Sequence, residues 1–391
     1  MKGCLQSLYI HIPYCLSKCA YCDFFSRACG NRSIPDSYIA ALCNEIKYRL
    51  TGQVELSTIY IGGGTPSLLS QKQLSDIFAS IKKSAVITSG TEITVEVNPD
   101  DVSKEFLLSL ENCGVNRISC GIQSMNDKCL SYTNRRANSK INQNALMLFQ
   151  KYWKGDLSLD LISALPGDDE EGLEKSLSSV CAVKPSHISL YSLAIEENTP
   201  LGKSLSSGEL EYDFDRADKL WIFGRDYLEK KGYSQYEVSN FCLPGKGCRH
   251  NMAYWGHEDY AGCGSGATGT LYKKNGEGQR WTNTTDIEKY IEFWTSDEKG
   301  LDGLAAENIP QTLESISLET SKFEFFMMGM RKLEGISEAE YEKLFGEKLP
   351  ANFLELFEKW EKKGLCQRQG GRYALNKEGI LFLNSFLEEL L

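Results

Sequence analysis

The chain reads as an α/β protein, a partial (β/α)6 barrel followed by a mostly helical, winged-helix-like C-terminal domain. Three observations predict this. Strand-like segments rich in β-branched and aromatic residues alternate with amphipathic stretches over residues 8–231, the pattern of parallel βα units. Near residue 234 the composition shifts to glycine, aromatics and cysteine, with little helical periodicity. From about residue 315 helical patterns dominate, interrupted by one hairpin signal at Gly370-Gly371.

The elements follow in order. Strands are expected at 8–12, 58–61, 92–97, 117–121, 157–162 and 187–193. Helices are expected between and after them at 35–50, 71–83, 103–112, 139–152, 169–181 and 212–231. Six such units make an incomplete version of the eight-unit barrel. Residues 276–279 read as a turn, and 281–294 as a connecting strand and helix. Helices at 321–333, 337–345 and 352–363, a hairpin at 367–374 and a last helix at 377–390 complete the chain. The expected division is a barrel at 1–233, a glycine- and aromatic-rich segment with its connector at 234–314, and a helical domain at 315–391.

Composition excludes several functions. A chain of 391 residues with 41% apolar content can bury a sizeable core. The net charge of −10 and a pI near 5.2 argue against a nucleic-acid or anionic-membrane surface. The helical C-terminal segment is acidic and lacks a basic stripe, which argues against DNA binding despite its winged-helix pattern. No stretch approaches the roughly 20 apolar residues that span a bilayer, so an integral membrane protein is not expected. The N-terminus carries no apolar run of signal-peptide length. The expected location is the cytoplasm, where most of the fourteen cysteines would remain reduced thiols.

The chemistry concentrates at Cys15, Cys19 and Cys22, directly after the first strand. A C-x3-C-x2-C spacing supplies three thiolates, one fewer than a [4Fe–4S] cluster can take. One iron then stays open to a small chelating ligand. A structural zinc site wants four ligands, and no second C-x2-C pair exists to supply them.

Parallel βα folds build their sites at the C-terminal ends of strands, and polar or glycine-rich residues recur there. The second strand ends in Gly62-Gly63-Gly64-Thr65-Pro66-Ser67, where glycines allow close backbone approach to a ligand. The third ends in Val95-Glu96-Val97-Asn98-Pro99, placing a carboxylate where an ammonium or a ribose hydroxyl could meet it. Gln123, after the fourth strand, suits ribose hydroxyls. Arg135 follows in Asn134-Arg135-Arg136; its guanidinium can fork onto a carboxylate, with Arg136 as the alternative. Asp160 lies in the fifth strand.

The segment at 9–24, YIHIPYCLSKCAYCDF, resembles the opening of the radical SAM superfamily. More narrowly it is similar to the branch that holds the oxygen-independent coproporphyrinogen III dehydrogenases (HemN) and the haem chaperones (HemW). GGGTPS at 62–67, E-x-N-P at 96–99, and LDLISALPG at 159–167 carry the same resemblance. It implies a [4Fe–4S] cluster on Cys15, Cys19 and Cys22, with S-adenosylmethionine (SAM) chelating the open iron. In that superfamily cluster reduction can cleave the sulfonium to a 5′-deoxyadenosyl radical. The resemblance makes Gly63, Gly64, Thr65, Glu96, Gln123, Arg135 and Asp160 SAM contacts, flanked by Tyr9 and Tyr21. His11 reads as a structural strand residue.

Three features favour the chaperones within this branch. Phe24 stands where the dehydrogenases carry a fourth cysteine. Only fourteen residues precede Cys15, whereas the dehydrogenases have a longer N-terminal segment. Cys248-Arg-His-Asn-Met-Ala-Tyr-Trp255 matches the chaperones' H-N-x-x-Y-W motif. The resemblance thus implies haem as ligand, with His250 or Cys248 on its iron. Acceptor haemoproteins and an electron donor such as flavodoxin or ferredoxin are the implied partners. The alternative is radical decarboxylation of coproporphyrinogen III to protoporphyrinogen IX. The chain departs from the family at two places. Ala137 stands in the segment near Arg135 where members often read G-R-x-H, and Ser265 and Thr268 replace a proline and a histidine after the H-N-x-x-Y-W motif.

Overall fold

The computed structural model describes residues 5–30, 33–50, 54–296 and 306–391. Cys4 and part of the connector, 297–305, lie outside the described residues. The main sheet opens with six strands, β1 (Ser7–Ile12), β2 (Val54–Gly63), β3 (Ala85–Val97), β4 (Arg117–Gln123), β5 (Asp156–Ser163) and β6 (His187–Ser192). They pair in parallel in chain order. Helices α1 (Asp36–Arg49), α2 (Gln71–Ser84), α3 (Lys104–Cys113), α4 (Asp127–Tyr132), α5 (Ser139–Tyr152) and α6 (Glu170–Ala182) lie between them. Ser70, Ser103, Asn138 and Asp169 each accept a backbone N–H in the first turn of the helix they precede. Those bonds satisfy donors that would otherwise be orphaned and fix where the helices start.

Buried parallel strands usually read as continuous apolar runs; these alternate. Leu8, Ile10 and Ile12, Ile59 and Ile61, Ile93 and Val95, Ile118, Leu159, Ile188 and Leu190 are all buried in one core with the helices. Between them stand Ser7, Tyr9 and His11, Thr58 and Tyr60, Thr94 and Glu96, Arg117 and Ser119, Ser158 and Asp160, and His187 and Ser189. Alternation sends this second set to the other face. There they bond across the strands: Thr58 to Ser7 at 3.0 Å, Tyr60 to Glu96 at 2.9 Å, Ser119 to Asp160 at 2.8 Å. The barrel therefore has an apolar outside packed on helices and a polar inside.

Beyond α7 (Pro200–Ser206) and α8 (Phe214–Lys230) the sheet continues. β7 (Ser234–Gln235) and β8 (Asn240–Cys242) add to β6 antiparallel. A short helix, α9 (Arg249–Trp255), precedes β9 (Tyr260–Cys263), which pairs in parallel with β1. β10 (Thr268–Tyr272), β11 (Gly278–Asn283) and β12 (Gln311–Ile316) follow antiparallel. The order is β12-β11-β10-β9-β1-β2-β3-β4-β5-β6-β8-β7, one twelve-stranded sheet. Strands on both sides of residue 233 thus belong to the same sheet. Helical periodicity is weak after residue 234 because much of that segment forms its two flanks.

The C-terminal part has its own core around Phe326, Tyr341, Phe353, Phe357 and Phe386. α10 (Ile287–Thr295), between β11 and β12, packs in the main core through Tyr290 and Trp294, whereas α11 (Leu318–Gly329), α12 (Glu338–Phe345) and α13 (Ala351–Lys362) build the C-terminal one. The hairpin Cys366–Gln369 with Arg372–Leu375 turns at Gly370 and Gly371, whose φ values of 60° and 75° suit glycine at both positions. The last helix starts at Leu383, later than the sequence pattern indicates, because Asn376 Oδ1 accepts from Glu378 and Gly379 N–H and holds a turn there. No helix among the described residues is long and apolar enough to cross a membrane.

Candidate functional site

A cavity of about 540 Å³ opens at the C-terminal ends of β1–β6. Its walls carry Cys15, Cys19, Cys22 and Tyr21 from the loop after β1, and Gly63, Gly64 and Thr65 after β2. Glu96 and Asn98 come from β3 and its turn, Gln123 and Arg135 from β4 and beyond, and Asp160 from β5. Eleven of the thirteen residues singled out in the sequence therefore meet in one space.

The glycines after β2 are fixed by packing. Gly63 has φ of 107°, and a Cβ there would lie 2.5 Å from the His11 ring. A Cβ on Gly64 would lie 2.6 Å from the Tyr14 carbonyl oxygen. His11 Nε2 donates to the Phe25 carbonyl at 2.8 Å while Nδ1 accepts from Tyr9 at 2.9 Å. His11 thus ties the far end of the cysteine loop to the barrel, a structural role.

Hydrogen bonds link the thiols to the neighbouring strand ends. Thr65 Oγ1 donates to Cys15 Sγ at 3.4 Å and accepts from Asn98 Nδ2 at 3.3 Å. Arg135 Nη1 donates to Cys19 Sγ at 3.6 Å, and Nη2 to the Gly121 carbonyl at 2.5 Å and Asn98 Oδ1 at 3.3 Å. Arg136 instead pairs with Asp100 and Asp101, which leaves Arg135 as the arginine in the cavity wall. Asn98 escaped selection in the sequence, although it sits inside the E-x-N-P motif that signals it.

The two carboxylates differ. Glu96 accepts from Tyr60 Oη at 2.9 Å and Gly63 N at 3.1 Å, and burial pushes its carboxyl up to about 7. Asp160 accepts three hydroxyls, from Ser119 at 2.8 Å, Ser158 at 3.0 Å and Ser189 at 2.7 Å. Burial raises its pKa as well, against the pull of those donors.

Two expected contacts lie elsewhere. Tyr9 is beneath the cavity, its ring 6.3 Å from Tyr60 and 6.5 Å from His250. His250 is 1% exposed at the opposite end of the barrel, with Nδ1 2.8 Å from Thr58 Oγ1 and Nε2 2.9 Å from Tyr254 Oη. Both of its ring nitrogens are engaged, and Tyr9 and Tyr60 lie over it. Cys248, fully buried, has its Sγ 3.7 Å from Glu92 Oε1. Neither lines the cavity. Sequence spacing missed the reason: Glu92 accepts from Arg249 N–H at 3.1 Å and His250 N–H at 3.0 Å, capping α9 against the barrel floor.

The residues fit a [4Fe–4S] cluster with SAM. Among the described residues no three His, Cys, Asp or Glu side chains converge as a group for a metal ion. The three thiols line one cavity, and three thiolates are the donor set that leaves one iron of such a cluster open. Gln123 Oε1 and Arg135 Nε are buried at this cavity without partners, and unpaired buried polar atoms call for a ligand or water. Gln123 is presented by a left-handed backbone, φ of 64°, at a register shift between β4 and β5.

Comparison with known proteins supplies the family. The family model described as the Radical SAM superfamily matches residues 9–180, and the HemN C-terminal domain matches residues 316–382. A protein of Buchnera aphidicola named heme chaperone HemW is 34% identical, covering 98% of this chain and 97% of its own. One of the same name from Bacillus subtilis is 31% identical over 99% of this chain and all of its own length. In fold the chain is similar to the solved Escherichia coli coproporphyrinogen III oxidase HemN, described as a radical SAM enzyme. The TM-score is 0.79 at 20% identity, over 99% of this chain and 90% of that one. The chain belongs to the HemW family of the radical SAM superfamily.

Proposed function

We propose that the chain is a haem chaperone that binds haem and passes it to acceptor haemoproteins. In this reading it carries a [4Fe–4S] cluster on Cys15, Cys19 and Cys22 with exchangeable SAM. The observation that carries the cofactor half is the single cavity gathering three thiols, the glycine turn and the unpartnered Gln123 and Arg135 atoms. The near full-length match to proteins named heme chaperone supports the haem half.

When bound, such a cluster offers an electron and one open iron to the amino-acid end of SAM. The chain's own residues bind and orient. Gly63 and Gly64 bring backbone close, Glu96 meets the ammonium, Gln123 the ribose hydroxyls, and Arg135 Nε remains for the carboxylate. Tyr21 packs with Leu193 and Leu201 to shield one side. Phe24 is 70% exposed beside the loop and adds no thiol, in keeping with three-cysteine ligation. A small reductant such as flavodoxin or ferredoxin is the proposed electron source, and the cytoplasm the proposed location. His250 and Cys248 are left out of the haem site.

Two assays test this. Purified protein titrated with haem develops a Soret band, and adding an apo-haemoprotein moves that band to the acceptor. Reduced protein incubated anaerobically with SAM and coproporphyrinogen III leaves the substrate intact. Accumulation of protoporphyrinogen IX would replace the chaperone by a dehydrogenase.

A further inference from the structure

Asn134, just past the end of α4, bears on the cysteine loop. α4 ends at Thr133, and Asn134 is left-handed with φ of 56°. Asn134 N–H donates to the Ser131 carbonyl at 3.0 Å and Arg135 N–H to the Leu130 carbonyl at 2.9 Å. This double bond pattern is the Schellman stop, whose left-handed position accepts glycine and, less often, asparagine. Glycine would therefore serve the turn. Asparagine adds a side chain, and its Nδ2 donates to the Lys18 carbonyl at 2.9 Å.

The neighbours of Asn134 grip the same stretch. Ala20 N–H donates to the Thr133 carbonyl at 2.9 Å, and Arg135 Nη1 to Cys19 Sγ at 3.6 Å. Three consecutive residues, 133–135, thus hold three consecutive loop residues, 18–20. On the other side Leu201 N–H from α7 donates to the Ala20 carbonyl at 2.9 Å. The loop is held from the C-terminal end of α4 and the first turn of α7 by contacts that need no metal.

We propose that Asn134 is a positioning residue that clamps the Lys18–Ala20 stretch, so that the three thiols are arrayed before a cluster arrives. This rests on the reading of Cys15, Cys19 and Cys22 as cluster ligands, but the clamp itself can be measured in the apo chain. Three variants separate the side chain from the backbone turn. Asn134→Gly keeps the left-handed turn and loses the donor. Asn134→Asp keeps size and turn and places an acceptor against the Lys18 carbonyl. Asn134→Ala strains the turn.

The primary readout is hydrogen exchange of the peptide covering residues 15–22 in apo protein. Exchange roughly three- to tenfold faster in both Asn134→Gly and Asn134→Asp, with exchange of the α13 peptide unchanged, is the expected result. Wild-type exchange in Asn134→Gly, with acceleration only in Asn134→Ala, would reduce the residue to a turn former and overturn the proposal. In reconstituted protein the same two variants lose iron to a chelator faster by a similar factor. If the wild type takes up no cluster, the cofactor reading fails, while the apo exchange still decides the role of Asn134.

Discussion

Replacing His250 by alanine separates a ligand from a structural part. In the fold its imidazole is 1% exposed, between Thr58 and Tyr254, with the Tyr60 ring stacked at 5.1 Å. Removing it leaves the Tyr254 hydroxyl without its buried partner, about 1–3 kcal/mol, and opens a ring-sized void, about 2–3 kcal/mol. The expected loss is about 4 kcal/mol at pH 8. Burial first, then the Arg117 charge, lower the His250 pKa from 6.5 to about 3. Between those values the unfolded chain takes up a proton that the folded chain refuses. This contribution is therefore full above pH 6.5 and is lost as the pH falls. At pH 5 the native chain has given up about 2 kcal/mol of it, and the alanine variant has nothing of the kind to lose. Urea unfolding of both proteins should show a gap of about 4 kcal/mol at pH 8 that narrows to about 2 kcal/mol at pH 5. A Soret titration of the folded variant should match wild type. A gap that ignores pH, or a lost Soret band with stability intact, would refute this reasoning.

Three further outcomes follow from the geometry. Glu45, fully buried, accepts from Gly264 N at 2.7 Å, Asn283 Nδ2 at 2.7 Å and Tyr290 Oη at 2.6 Å. Glu45→Ala strands the Gly264 N–H and the Tyr290 hydroxyl and removes the charge partner of Arg49, and should cost about 3–5 kcal/mol in calorimetry or urea unfolding. Gly64→Ala drives a Cβ into the Tyr14 and Ile12 carbonyls; it should cost about 1–3 kcal/mol and speed iron loss from reconstituted protein. Glu96, raised to about 7 by burial, ionises across neutral pH. SAM affinity by equilibrium dialysis should therefore rise with pH through about 7, and Glu96→Gln should flatten that profile.

The barrel was legible because its signals are local. Alternation marks the strands, and polar residues at their ends mark the cavity. Gln123 and Asp160 are read from sequence because strand ends point their side chains to one place. Tyr9 and His250 are not, because their motif positions do not reveal which end of the barrel they occupy. That depends on Glu92, remote in sequence, capping α9 at the floor. The flanks of the sheet were hidden for a related reason. β9 pairs in parallel with β1 across most of the chain, and no periodicity within residues 260–263 announces so distant a partner.

The proposed chemistry depends most directly on the open corner of the cluster. Anaerobically reconstituted, dithionite-reduced protein should hold four irons per chain and give an electron-spin signal whose g-values shift when SAM is added. Material that binds no cluster through Cys15, Cys19 and Cys22, or whose signal ignores SAM, would contradict it.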